Sequence, residues 1–178
     1  MKTNKFLFAA LVSILLMSCG QNSNPSDNSG GSTGQTGTGS MSAKVDGQDW
    51  SAATATAGYS SSTRDLTLNG ARGDASSSSA ITISLRNVQG TGTFTLVAVG
   101  TVGSSGQGFA TYGTNASGQV QSFVTTEANA GTVTLTRFDQ QARVVAGTFS
   151  FRCTSPTNAT LRRNITEGRF EIPLISVN

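Results

Sequence analysis

Over residues 41–178, apolar side chains recur at every second position rather than every third or fourth. Ile81, Ile83 and Leu85 alternate with Thr82, Ser84 and Arg86. Phe94, Leu96 and Ala98 alternate with Thr93, Thr95 and Val97, and Val133 and Leu135 with Thr132, Thr134 and Thr136. Val145, Phe149, Phe151 and Cys153 share one parity, with Thr148, Ser150 and Arg152 on the other. Phe170, Ile172 and Leu174 are opposed by Arg169 and Glu171. Leu66 and Leu68 make a shorter run, and residues 120–125 a less regular one. Successive side chains of a strand point to opposite faces, so this period predicts strands with one buried and one wet face, the habit of antiparallel sheets. No part of this region carries the period of a three-turn helix.

Turn signals separate the runs at intervals of about 8 to 14 residues, as a sandwich or barrel requires. Asp46-Gly47 suits a tight hairpin, because both residues tolerate positive φ. Asn69-Gly70, Gly90-Thr91-Gly92 and residues 103–108, 115–118 and 129–131 are similar signals. Pro156 belongs in a loop. Pro173 falls inside a late strand, which predicts an edge or a bulge there. The expectation for residues 41–178 is one all-β domain: an antiparallel β-sandwich or flattened up-and-down barrel of about nine or ten strands.

The start of the chain breaks this pattern. Lys2 and Lys5 precede a nearly unbroken apolar run over residues 6–17, ending in Leu16-Met17-Ser18-Cys19. Twelve residues suit the apolar region of a signal peptide, whereas a spanning helix needs roughly 20. An apolar residue three before the cleavage point, a small one at Ser18 and then Cys19 resemble the lipobox of bacterial lipoproteins. That resemblance implies cleavage between Ser18 and Cys19, with Cys19 acylated to anchor the protein in a membrane. Two or more acyl chains hold where one is marginal. Residues 1–18 are then the signal peptide and 19–40 the lipidated cysteine with its tether. Gly20 to Ser40 contains no aliphatic or aromatic side chain and one charge, Asp27. It cannot bury enough apolar surface to order itself, and its 21 residues give an r.m.s. reach of about 25 Å. Gly20 is not the aspartate that marks inner-membrane retention, so the resemblance favours the outer membrane, with the leaflet left open.

Composition narrows the chemistry. The chain holds 24 serines, 25 threonines, 21 glycines and no histidine. Without histidine there is no Ser-His-Asp or Cys-His arrangement and no His-ligated zinc. Two cysteines cannot make a four-thiolate site, and no metal or cofactor is expected. Charged residues are 12 % of the chain, against about 25 % in a typical domain. Once Lys2 and Lys5 leave with the signal, ten basic groups face nine acidic ones, so no nucleic-acid partner is supported.

Several residues admit two readings. Trp50, the one tryptophan, is a sugar-stacking platform or a core anchor; its size favours the core. Asp46 and Asp49 lack the alternating ligand rhythm of a calcium loop and read as turn chemistry. Arg72-Gly73-Asp74 resembles an integrin-binding tripeptide, but all three are ordinary loop residues. Asp65, Glu127, Asp139, Glu167 and Glu171 supply carboxylates for hydrolysis only if two of them face each other. Arg162, Arg163 and Arg169, with Arg152, form a candidate basic stripe for surface binding of a carboxylate or phosphate. Cys153 reads as a small buried hydrophobe.

The domain resembles a family of small uncharacterised lipoproteins common in the Bacteroidota. The residues that carry this are Met41-Ser42-Ala43-Lys44-Val45-Asp46-Gly47-Gln48-Asp49-Trp50-Ser51-Ala52, Gly131-Thr132-Val133-Thr134-Leu135-Thr136, Gly147-Thr148-Phe149-Ser150-Phe151 and Ile165-Thr166-Glu167-Gly168-Arg169-Phe170. The resemblance implies an all-β fold and an envelope location. The functional expectation is a non-catalytic binding or structural module with a protein or glycan partner. A carboxylate-dependent glycan hydrolase and an accessory subunit docking by an edge strand are the alternatives.

Overall fold

A computed structural model describes residues 39–74, 76–103 and 107–177. It is all-β, with no helix among the described residues. The strands are β1 (Ser40–Val45), β2 (Gln48–Ser51), β3 (Thr54–Ser60), β4 (Asp65–Gly73), β5 (Ser77–Leu85), β6 (Gly92–Leu96), β7 (Gln107–Ala116), β8 (Gln119–Val124), β9 (Gly131–Asp139), β10 (Val144–Thr154) and β11 (Arg162–Val177). They form one mixed sheet in the order β2-β1-β11-β3-β4-β5-β7-β6-β9-β10-β8, with further pairings β11–β10 and β7–β8. Those two pairings bring the sheet back on itself. The result is an uneven ring, from β3 through β4, β5, β7, β6, β9 and β10 to β11 and back to β3.

Eleven strands exceed the nine or ten that the period suggests. β3 and β7 have the weakest apolar signal, because their inward positions are mostly small: Ala55 and Ala57 in β3, Gly108 and Ala110 in β7. Two pairings are parallel, β11 with β3 and β6 with β7, and the rest antiparallel. Asn69-Gly70 is not a turn but lies inside β4. Gly70 faces inward, and a Cβ there would stand 2.6 Å from Met41 Sδ and 3.1 Å from the Trp50 ring. The glycine makes room for the tryptophan rather than turning the chain.

Other local signals take their expected form. Asp46 and Gly47 have φ of 51° and 82°, and Ser117 and Gly118 the same pair of angles within a degree. Both are two-residue turns whose twist matches the flanking strands. Asp139 Oδ1 accepts from the amides of Gln141 and Ala142 to close the β9–β10 turn. Pro173 sits where β11 leaves β1 and takes up β3: β1 pairing ends at Glu171 and β3 pairing begins at Leu174. A residue without an N–H belongs at such a gap in the ladder.

The core fills the ring. Leu66, Leu68, Ile81, Ile83, Leu85, Leu96, Val133, Val145 and Ile172 are fully enclosed. Phe149 stacks on Phe151 with centroids 6.2 Å apart and meets Phe170 at 6.3 Å. One end is sealed by apolar groups: Tyr59 packs edge-on against Phe138 at 5.0 Å and donates to the Val88 carbonyl at 3.1 Å. The ion pairs of Lys44 with Glu167 and of Arg152 with Glu127 are exposed, and such pairs contribute about 0–1 kcal/mol. Burying one Leu or Phe contributes about 1.5–3 kcal/mol, so the core decides stability.

Phe151→Ala should therefore lower the unfolding free energy by about 3 to 5 kcal/mol in a urea titration, from lost burial and the cavity left behind. Arg152→Ala, one residue along on the outer face, should cost less than about 0.5 kcal/mol. A larger loss at Arg152 would reverse the facing of β10.

Candidate functional site

The inner face changes character toward the other end. Across β4, β5, β7 and β8 the register aligns Gly70, Ile81, Tyr112 and Phe123 in one row. Two residues further on, the aligned positions are Arg72, Ser79, Thr114 and Gln121. Beyond them come Ser77, Ala116 and Gln119. On the facing wall, Phe151 with Ile165 gives way to Cys153 with Arg163. Inward positions thus pass from apolar to polar, and with Gly73, Ser78 and Asn115 they line an open cavity of about 550 Å³.

Two seams in the wall open onto this cavity. β2 pairs only with β1, and its other edge carries no backbone ladder. Side chains bridge that gap: Trp50 Nε1 donates to Ser79 Oγ at 2.8 Å, and Arg72 Nη1 reaches the Asp49 carbonyl at 3.5 Å. β8 meets β10 through one residue pair, Val124 with Thr154. There the Arg163 guanidinium lies over the Phe123 ring, 4.7 Å from its centroid. Arg163 also stands 3.5 Å from Asp46 Oδ2, while Asp46 Oδ1 accepts from the Asn164 amide at 2.8 Å. Burial pushes the Tyr112 phenol above its ordinary pKa, with the Ser79 hydroxyl and the charges of Arg72 and Arg163 pulling the other way. The phenol is a neutral hydroxyl at physiological pH. Burial also pushes the Cys153 thiol up from 9.0 to about 12, with Asp46 adding to the rise and Arg163 opposing it.

A single bulge decides which arginine enters the site. Between Ile165 and Gly168, β11 has one residue more than either neighbour, and Glu167 takes φ of 53°. The extra residue flips the parity of the strand. Ile165 and Arg163 therefore face inward, although Phe170 and Ile172 set the opposite parity. Arg162, paired with Thr154, and Arg169, paired with Thr148, face outward. Arg152 is also outward, opposite Asn164 and held to Glu127 at 3.3 Å. The stripe of Arg162, Arg163 and Arg169 is thus divided between the outer wall and the mouth.

The remaining candidates have structural work. Trp50 is 1 % exposed and acts as a core anchor. Asp46 forms the β1–β2 turn with Gly47. Arg72 and Gly73 end β4, and Asp74 Oδ1 accepts from the Ser76 amide, the Ser76 hydroxyl and the Ser77 amide. Those donors, the Ser76 hydroxyl first, hold the Asp74 carboxyl below its ordinary pKa. Asp65 pairs with Arg86 at 2.6 Å, Asp139 with Arg137 at 3.6 Å and Glu167 with Lys44 at 3.0 Å. Glu171 is exposed on β11. Among the described residues, no group of three or more His, Cys, Asp or Glu gathers as a metal site. Ser18 and Cys19 lie outside the described residues.

Sequence reasoning passes over Arg72, Tyr112, Thr114, Gln119 and Gln121 as mouth residues. The available signal was parity: Ser77 and Ser79 continue the inward phase of Ile81 in polar letters.

A family model described as Domain of unknown function (DUF6252) matches residues 37–173. No curated protein and no solved structure matches the chain.

The thiolate is the reactive form of cysteine, so an aromatic disulfide reagent should label Cys153 slowly at pH 8 and quickly once denaturant is added. Folding raises this pKa, so the folded state keeps a proton the unfolded chain has lost. Stability should fall as pH climbs from about 9 toward about 12. Immediate labelling of the folded protein would place the thiol on the surface.

Proposed function

We propose that this chain, which belongs to the DUF6252 family of domains of unknown function, is a lipid-anchored envelope protein of the type common in the Bacteroidota. In this reading its barrel holds a small polar ligand at the mouth without transforming it. The polar mouth is the observation that carries the reading. Its volume of about 550 Å³ falls within the range of small-molecule sites, roughly 300–1,000 Å³, and barrel mouths are a recurrent place for them. A second pocket, of about 310 Å³ between Asn129, Ser150, Arg152 and Asn164, is smaller than the mouth.

Binding is favoured over hydrolysis by the position of the carboxylates. Glycoside hydrolysis needs two of them flanking one bond. Asp65, Glu127, Asp139 and Glu167 each pair with a separate cation on the outer wall, and the cavity lining holds neither Asp nor Glu.

The anchor rests on the spacing of Leu16, Met17, Ser18 and Cys19 and on the tether that follows. β1 begins at Ser40, opposite Glu171, and runs toward the mouth, reaching it at Val45 opposite Ile165. The tether thus joins the barrel at the end of β1 remote from the mouth.

Cells fed a palmitate analogue should label the wild-type protein and leave Cys19→Ala unlabelled and released from the membrane fraction. Equal label and equal retention in both would end the lipoprotein reading.

A further inference from the structure

We propose that the mouth clamps the anionic group of a small hydroxylated ligand, a sugar acid or sugar phosphate, between the guanidiniums of Arg72 and Arg163. The inference rests on the reading of the barrel as a binding module and names the chemistry of its ligand. Both arginines line the one cavity. Both also bear electrostatically on the Tyr112 phenol within it, against the opposing charge of Asp46.

Neither arginine is fully used by the protein. Among the described residues Arg72 takes part in no ion pair, and its contact with the Asp49 carbonyl, at 3.5 Å, is at the long limit of a hydrogen bond. A guanidinium carries five N–H donors. Arg163 has a carboxylate neighbour, but the nearest contact to Asp46 is 3.5 Å, longer than the 2.7–2.9 Å of a strong charge-assisted bond. Asp46 already spends its other oxygen on the Asn164 amide. The Arg163 guanidinium lies over the Phe123 ring and its Nη1 donates to the Arg162 carbonyl at 3.1 Å, which leaves the other donors of the fork for an oxyanion. With two cations in its lining and the Asp46 carboxylate beside it offsetting one of them, the cavity keeps a positive charge that favours an anion.

The remaining lining suits the body of a sugar. Ser77, Ser79, Thr114, Gln119 and Gln121 offer hydroxyl and amide groups that both donate and accept. A ring bearing hydroxyls and one compact anion meets all of these groups together. Free phosphate or acetate would meet only the arginines.

Trp50 supplies the readout. It is the one tryptophan of the chain, and its indole N–H is bonded to Ser79 Oγ in the cavity wall. Detergent-solubilised full-length protein is titrated at low salt with glucuronate, glucose 6-phosphate and glucose while Trp50 fluorescence is followed. The charged sugars should give saturable changes at least about tenfold tighter than glucose, the size expected of one charge-assisted hydrogen bond. The tighter of the two identifies carboxylate or phosphate as the natural group. Arg72→Gln should weaken binding about tenfold, by the same arithmetic. Arg162→Gln, on the outer wall, should leave it unchanged. Asp46→Asn keeps an αL-tolerant residue and an acceptor for the Asn164 amide while removing the charge that competes for Arg163. It should tighten binding several-fold, a gain that misfolding cannot mimic. Glucose binding as tightly as the acids, or weakening by Asp46→Asn, overturns the clamp and leaves the binding module standing. Silence toward all three sugars overturns both readings.

Discussion

The ring closes because one strand is long enough to be paired along both edges. β11 runs for 16 residues, roughly 50 Å of extended chain. Along one edge it pairs with β10 from Arg162 to Pro173. Along the other it pairs first with β1 and then, past Pro173, with β3. Remove the last partner and β3 becomes a free edge, a row of unpaired amides and carbonyls that invites other chains. The β3 pairing is parallel because β3 follows the β1–β2 hairpin and enters the same edge of β11 from the opposite direction. Gly39 sets the junction: its amide donates to the Ala55 carbonyl, and a Cβ there would stand 2.6 Å from the Ile172 backbone.

The site follows from what this closure leaves undone. Near the mouth, β2 and β8 each lack a full neighbour, so side chains complete the wall. Trp50 bonded to Ser79 closes one seam, and Arg163 over Phe123 closes the other. Because side chains rather than backbone complete the wall there, Arg72, Ser79 and Arg163 both help to finish the barrel and line its mouth. The bulge at Glu167 is part of this design: without its extra residue, Arg163 would point to solvent beside Arg169.

Much of the fold was legible in the sequence, for a simple reason. Where a strand alternates large apolar with polar residues, as β5, β9 and β10 do, the period states both the strand and its facing. Phe149, Phe151 and Cys153 share the buried face that their spacing predicts. Legibility fails where inward positions are small or polar. β3 shows Ala55 and Ala57 inward, β7 shows Gly108 and Ala110, and Gly70 reads as a turn although it accommodates Trp50 inside a strand. The mouth was harder still. Serine is at home on either face of a strand, so the phase that Ser77 and Ser79 share with Ile81 does not by itself mark them as inward. A bulge resets parity without changing composition, so Arg163 reads as a companion of Arg162 and Arg169. Both failures concern residues whose role depends on register, which only long-range pairing sets.

The claim on which the rest stands is that β11 closes the ring against β3. Native-state hydrogen exchange followed by NMR tests it at single amides. Closure predicts that the ladder amides joining residues 57–60 to 174–177 exchange nearly as slowly as those between β4 and β5. If they exchange as freely as an exposed edge while β4 and β5 stay protected, the sheet is open, β3 is an edge strand, and the ring described here does not exist in solution.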